Sequence, residues 1–451
     1  MKDFGEGRVM KLEGKSLKRD FFKFILPAVA SQWVFALYTM VDGMFVARGV
    51  SETALAAVNI SSPFVTGMFA LSLTFAVGTS TIVALMFGQN KIREAREVFS
   101  QNMTVLTIVS LLITAAVLAG LKGFAGFLGA TEVTMPYVKE YISTIAPFAV
   151  CFILSYSFEI LISTDGYPAL ATIIVSLGVV LNCILDYLLV MVWHKGVSGA
   201  AFATGISQTV VIVFYLKHFL GKKGTIKFCR HAFRPWLIAR ELKNGFPSGI
   251  TELSAGIITF VFNQAIIRFL NEDAIVSYSI IAYVNAIVVM SMVGVAQGCQ
   301  PLISYYYGKG EREKCRRLLK YELCTVAASS FFVAGVCYLL ADKIVGIFIS
   351  PELEELSAYS AGVFRIFILS FLLAGYNVVA AGFFTAIEKS GTAVVISLGR
   401  GLVMLVISMT VLTALFGGKG IWWAAALSEA LCLVVSIRLL SLERKIGDGV
   451  K

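Results

Sequence analysis

Residues Ser61 to Phe87 read SSPFVTGMFALSLTFAVGTSTIVALMF, twenty-seven positions without one charged side chain. A helix needs only ~20 apolar residues to cross a bilayer core of ~30 Å. The pattern recurs along the chain: Leu170 to Trp193 holds a single charge, at Asp186, and Ile275 to Tyr307 holds none. Of the 451 residues 58% are hydrophobic and 15% charged, against roughly a quarter charged in an average soluble domain. A soluble fold cannot hide this much apolar surface, so the fold class is an all-α integral membrane protein with the lipid bilayer as its solvent.

Apolar length, turn residues and charged flanks give twelve spans: 22–46, 55–87, 100–121, 137–163, 169–193, 197–219, 244–267, 274–306, 321–341, 359–386, 391–415 and 420–441. The net charge of +10 is segregated among the connections between them. Most Lys and Arg residues lie in alternate ones: the stretch from Lys2 to Lys23, Lys91 to Arg96, Lys217 to Lys243, Lys309 to Lys320, Lys389 and the carboxy-terminal end. By the positive-inside rule both termini are cytoplasmic, in a plasma (inner) membrane, and the number of spans is even. The basic charge therefore reports topology, and no nucleic-acid partner is expected. Eight cysteines without a CxxC pair and three histidines without ligand spacing predict buried thiols and no metal centre. The charged first ~20 residues and the length of the first apolar run argue against a cleavable signal peptide.

The expected organisation is a cytoplasmic tail over 1–21, an amino-terminal half over 22–219 with six spans, a basic cytoplasmic linker over 220–243, a second six-span half over 244–441, and a tail over 442–451. An internal repeat supports it. A shift of 220 residues without gaps places Pro27 on Pro247, Arg48 on Arg268, Glu52 on Glu272, Gly78 on Gly298 and Arg96 on Arg316. Further on, Ser176-Leu177-Gly178 matches Ser397-Leu398-Gly399 after small insertions. Halves with an even number of spans begin on the same side, so the two bundles are parallel and related by a pseudo-twofold axis along the membrane normal. Such proteins bind substrate between the halves and rock between them.

Acidic residues inside spans are the informative exceptions, because a charge at the centre of a spanning helix costs ~2.5 to 3.5 kcal/mol and has to face protein or water. At ~1.5 Å per residue, Asp42 in the first span, Asp186 in the fifth and Thr204 in the sixth fall about 6 to 11 Å below the outer surface. Asn182 precedes Asp186 by four residues and shares its face. This layer can load and release a proton, or it can hold a small cation such as sodium with oxygen ligands from Asp42, Asn182, Asp186 and Thr204. A static hydrogen-bond network is the alternative. In the second half, Glu252 and Arg400 lie at equal depth, ~13 Å, which predicts a neutralising polar pair, with a structural or a transport role. Gln300, next to Pro301, is a candidate substrate contact where the backbone can bend. Asp42 aligns with Phe262, so the first half's layer is not duplicated.

These residues resemble the multidrug and toxic compound extrusion (MATE) family over about residues 20 to 442. The resemblance is carried by Pro27 with Asp42 and Leu55-Ala56-Ala57, by Thr164-Asp165-Gly166-x-Pro168, by Asn182-x-x-x-Asp186, and by Gln297-Gly298-x-Gln300-Pro301-x-x-x-Tyr305-x-Tyr307-Gly308. It implies a secondary antiporter of MATE-like fold that exports cationic or amphipathic small organic compounds in exchange for protons or sodium ions. It further implies a cation site at Asp42, Asn182, Asp186 and Thr204. Where the family's fourth span carries an amide and an Arg before Asp-Gly, Glu159 and Ser163 stand here. The rival reading is a flippase or exporter of a lipid-linked or anionic metabolite on the same fold, kept open by Arg400. Intramembrane enzymes need HExxH, GxGD or a Ser with a His in the membrane, and none occurs, so no enzyme and no cofactor is expected. A monomer is expected.

Overall fold

The computed structural model describes residues 16–271, 273–350 and 352–448. Most of the tail expected over 1–21, the end of the tail over 442–451, Glu272 of the repeat and the side chains of Arg48 and Glu52 lie outside the described residues. Among the described residues all regular structure is helical. In chain order the helices are α1 (Leu17–Gly49), α2 (Glu52–Gly88), α3 (Ile92–Ala119), α4 (Leu121–Phe127), α5 (Met135–Ile145), α6 (Ala149–Thr164), α7 (Pro168–Asp186) and α8 (Gly196–Leu220). There follow α9 (Pro235–Phe269), α10 (Asp273–Gly308), α11 (Arg312–Leu339), α12 (Ala341–Gly346), α13 (Glu354–Ala386), α14 (Ser390–Leu398), α15 (Met404–Phe416) and α16 (Ile421–Asp448).

Among the described residues, eleven helical stretches are long and apolar enough to cross a membrane. The last, Ser390–Lys445, is 56 residues long and holds two spans. Gly417, at φ +59°, ends α15 in a conformation that L-residues avoid, and the 3₁₀ turn Gly417–Gly420 redirects the chain into α16. The twelve expected spans are thus all present. Several helices start about two turns before their apolar part, at Ile92, Pro235 and Arg312 rather than near 100, 244 and 321. Hydropathy registers only the lipid-facing section of a helix, whereas the backbone ladder continues into polar sequence. There, pairs such as Arg93 with Glu97 (3.4 Å) lie one turn apart.

The chain forms two compact units, Met1–Gly249 and Ile250–Lys451. In the first, α1 packs on α7, α2 on α6, and α8 against α5, α6 and α7. In the second, α13 is central and touches α10, α11, α14 and α16, while α15 pairs with α16. Helix lengths recur in the repeat's order. The overlong α2 and α10 have 37 and 36 residues, α3 and α11 have 28 each, and Pro27 and Pro247 sit inside α1 and α9. Phe262, the counterpart of Asp42, is buried and stacks on Tyr278 at 4.6 Å between ring centroids.

The basic stretch after α8 is not a free tether. Asp165, 1% exposed at the end of α6, accepts from the backbone N–H groups of Thr225 and Ile226, both at 2.9 Å, and lies 2.8 Å from His218 Nε2. Arg96 donates to the Thr225 carbonyl, Tyr167 to that of Lys223, and Gln101 exchanges two hydrogen bonds with the backbone of Arg234. The Thr164-Asp165-Gly166 motif thereby pins the connection to the first unit. From Pro235 on, the remainder of the expected linker is α9.

A candidate coupling site in the first unit

Four helices of the first unit bring polar side chains to one place. Helix α1 supplies Tyr38 and, one turn on, Asp42; α7 supplies Asn182 and Asp186; α8 supplies Thr204; α5 supplies Tyr141. Asp186 is completely buried, and Asn182, Thr204 and Tyr141 are nearly so. The carboxyl groups of Asp42 and Asp186 face each other closely enough to share a hydrogen bond when one carries a proton. Their Oδ1 atoms are buried without a hydrogen-bond partner. The Asn182 amide joins α7 to α8: with its nitrogen turned toward Asp186 it donates to Asp186 Oδ2 (3.0 Å), and its oxygen accepts from Thr204 N (3.2 Å). Tyr38 Oη and Thr204 Oγ1 are 3.3 Å apart, closing the set toward α1.

The local sequence explains this convergence. A Cβ on Gly205 would stand 2.3 Å from the Phe148 ring, so only glycine lets α8 lie against the turn at Ala146–Phe148 with Thr204 facing the aspartates. Asp186 is the last residue of α7, and a π-turn over Tyr187–Val192 follows directly. Such widened turns are rare within helices and concentrate at functional positions.

Buried acceptors without a partner are costly, at about 1–3 kcal/mol each, so a ligand that pairs with these two oxygens would relieve that cost. A proton shared between the carboxyls satisfies one or both. A small hard cation is equally matched by the donor set of two carboxylates, an amide oxygen and a hydroxyl, all oxygen ligands. The arrangement thus fits either ion.

Adjoining this set, a cavity of about 50 Å³ is lined by Tyr38, Asn182, Ser155, Gln208, Glu159 and Tyr215 among others. It has room for a few water molecules and none for a drug-sized ligand, which needs several hundred Å³. Ser31 of α1 donates to Thr172 Oγ1 at 3.0 Å, and Ser155 donates to Gln208 Oε1 at 2.5 Å. Glu159, which stands where the family resemblance expects an amide, therefore opens on the same cavity as Asn182.

The expected Glu252–Arg400 pair does not form. Arg400 Nε instead donates to Glu429 Oε1 at 2.7 Å. The second oxygen of Glu429 accepts from Asn377 Nδ2 (2.8 Å), and Ser436 donates to Asn377 Oδ1 (2.8 Å). Equal depth does not fix azimuth: Arg400 lies in a π-turn, Gly399–Val403, beside α16, which carries Glu429. Gln300 is buried on α10 next to Pro301. Sequence reasoning also missed Tyr38, Tyr141 and Asn377. Tyr38 was findable, since it precedes Asp42 by one helical turn; Tyr141 and Asn377 left no comparable signal among the many aromatic and small polar residues.

A family model described as MatE matches this chain twice, over residues 27–188 and 247–410. The second match begins 220 residues after the first (247 − 27), the offset of the internal repeat. The multidrug export protein MepA of Staphylococcus saprophyticus is 22% identical over 437 residues, spanning 96% of this chain and 95% of its own. MepA of Staphylococcus haemolyticus is 23% identical, covering 94% and 93%. Among solved structures, an outward-facing multidrug resistance MATE transporter of the MOP superfamily superposes with a TM-score of 0.92 at 20% identity, covering 99% of this chain and all of the other. A MOP superfamily transporter from Pyrococcus furiosus, described as having a binding pocket of reverse polarity that suggests a different function, superposes at 0.91 with the same identity and coverage. These likenesses concern the fold.

Proposed function

The chain belongs to the MatE family, and from that premise we propose that it is a secondary active antiporter, exporting cationic or amphipathic small organic compounds in exchange for protons or sodium ions. The MepA relatives, named as multidrug export proteins, support the substrate class. The observation that carries the reading is the facing pair Asp42 and Asp186, each with a buried oxygen lacking a partner inside a membrane-spanning bundle. In the outward-open state an ion enters this layer and substrate leaves. The loaded protein turns inward, the ion is released to the cytoplasm, on the side of both termini, and substrate binds again.

Magnitudes favour a site that can take more than one charge. Exchange of one monovalent cationic substrate for one ion is electroneutral, so the membrane potential does no net work. Each additional ion contributes ~2.3 kcal/mol per 100 mV. At ~1.4 kcal/mol per tenfold this is nearly fiftyfold in substrate gradient. Arg400, the residue that kept an anion exporter open, is neutralised by Glu429 and supplies no net positive charge.

The test is efflux of ethidium from vesicles under separately imposed proton and sodium gradients, with Asp42→Asn and Asp186→Asn. The proposal expects each variant to lose gradient-driven efflux by tenfold or more. Full efflux in both would remove the coupling site, and no gradient-dependent efflux of any organic cation by the native protein would remove the antiport reading.

A further inference from the structure

In the second unit, the start of α11 and the ends of α10, α13 and α16 line an open-sided cavity of about 660 Å³ that belongs to neither the candidate coupling site nor the Arg400 network. Arg312, Arg316, Arg317, Lys320 and Arg444 stand around it. The two acidic side chains there are already engaged, Glu313 with Arg317 (3.4 Å) and Glu443 with Lys389. Arg316 donates to the Arg444 carbonyl at 3.2 Å, tying α11 to α16 across the cavity. Arg312, Lys320 and Arg444 form no ion pair among the described residues, so the cavity keeps an excess of positive charge.

The positive-inside bias explains basic residues at the end of a span. It does not explain a ring of five of them around a cavity whose wall becomes apolar within one helical turn, at Leu323, Phe383 and Ile437. Ile437 is 55% exposed and Val434, one residue short of a turn before it, 66%. The apolar wall of the cavity is therefore continuous with an exposed apolar side of α16, a surface suited to acyl chains in a chain that spans a bilayer.

We propose that this cavity is a binding site for an anionic phospholipid, its phosphodiester held by Arg312, Lys320 and Arg444 and the first carbons of an acyl chain lying along Leu323 and Ile437. Guanidinium forks match phosphate oxygens in charge and geometry. Basic pockets between spans are where anionic headgroups bind. A free phosphate would make no use of the apolar wall. The inference stands apart from the transport reading and does not depend on the coupling ion.

The test is native mass spectrometry of the full chain in detergent, titrated with dioleoylphosphatidylglycerol or dioleoylphosphatidylcholine. The first phosphatidylglycerol should bind the native protein at least tenfold more tightly than phosphatidylcholine; equal binding of the two overturns the proposal without any variant. At about 1 kcal/mol per basic side chain, or roughly fivefold, Arg312→Gln with Arg444→Gln should weaken that first binding some 25-fold. Leu323→Trp, which plugs the apolar part of the cavity where the acyl carbons would lie and leaves the charge alone, should weaken it as well. If the plugged variant binds phosphatidylglycerol as the native protein does, the charges act as a diffuse surface and the site does not exist. Displacement of the lipid by millimolar inorganic phosphate would make the cavity a free-anion site and also overturns the assignment.

Discussion

Replacing Arg400 by leucine removes one half of a pair whose two side chains are only 14% and 12% exposed. The Glu429 carboxylate then keeps one neutral partner, Asn377, and loses the 2.7 Å contact with the guanidinium. Breaking a buried ion pair from one side costs about 3–5 kcal/mol, because the remaining charge is left uncompensated. Glu429→Leu leaves the guanidinium stranded and should cost about as much. The double replacement strands no charge. Its main deficit is the Asn377 amide, which loses a buried acceptor, at about 1–3 kcal/mol. A double-mutant cycle on the purified protein, unfolded by SDS in mixed micelles and followed by tryptophan fluorescence, should therefore give a double variant no less stable than either single one. Additive losses, with the double variant about 6–10 kcal/mol below the native protein, would refute the pair as a neutralising unit.

Gly205→Val should force the Phe148 ring and α8 apart at a position where even a Cβ meets atoms at 2.3 Å. Overpacking of this kind costs about 1–3 kcal/mol, so a lower thermal unfolding midpoint and slower efflux are expected, whereas an unchanged midpoint would contradict the close approach. Asp165→Ala strips the acceptor from the Thr225 and Ile226 N–H groups, at about 1–3 kcal/mol each. Trypsin should then cut between Gly221 and Arg234 much faster than in the native chain, and equal rates would mean that the connection is held by other contacts.

The architecture was legible because its cause is the crudest physical signal a sequence carries. Lipid permits only closed hydrogen-bonding structures, so uncharged runs such as Ser61–Phe87 have one available form. The twelfth span was equally readable from Gly417, Gly418, Lys419 and Gly420, which separate two long, mainly apolar stretches. Depth along a helix also follows from counting, which is how Asp42, Asn182, Asp186 and Thr204 were placed in one layer. Azimuth does not. Whether Arg400 turns toward Glu252 or Glu429 depends on the π-turn at Gly399–Val403 and on which helix lies alongside, and neither is written in local spacing. The same limit hid Tyr141, whose helix reaches the aspartates through tertiary packing alone. The basic stretch after α8 reads from composition as a linker, while Asp165, together with Arg96, Tyr167 and Gln101, holds it against the first unit.

Coupling at this site requires Asp42 and Asp186 to hold an exchangeable ion between them. Proton release from the purified protein in a lightly buffered detergent solution, recorded on addition of sodium or of ethidium, tests this most directly. About one proton per molecule should appear with the native chain, if the carboxyls share a proton that sodium or substrate displaces, and none with Asp42→Asn and Asp186→Asn combined. Equal release from the native and the doubly substituted protein would place the exchangeable proton elsewhere and contradict the proposed coupling site.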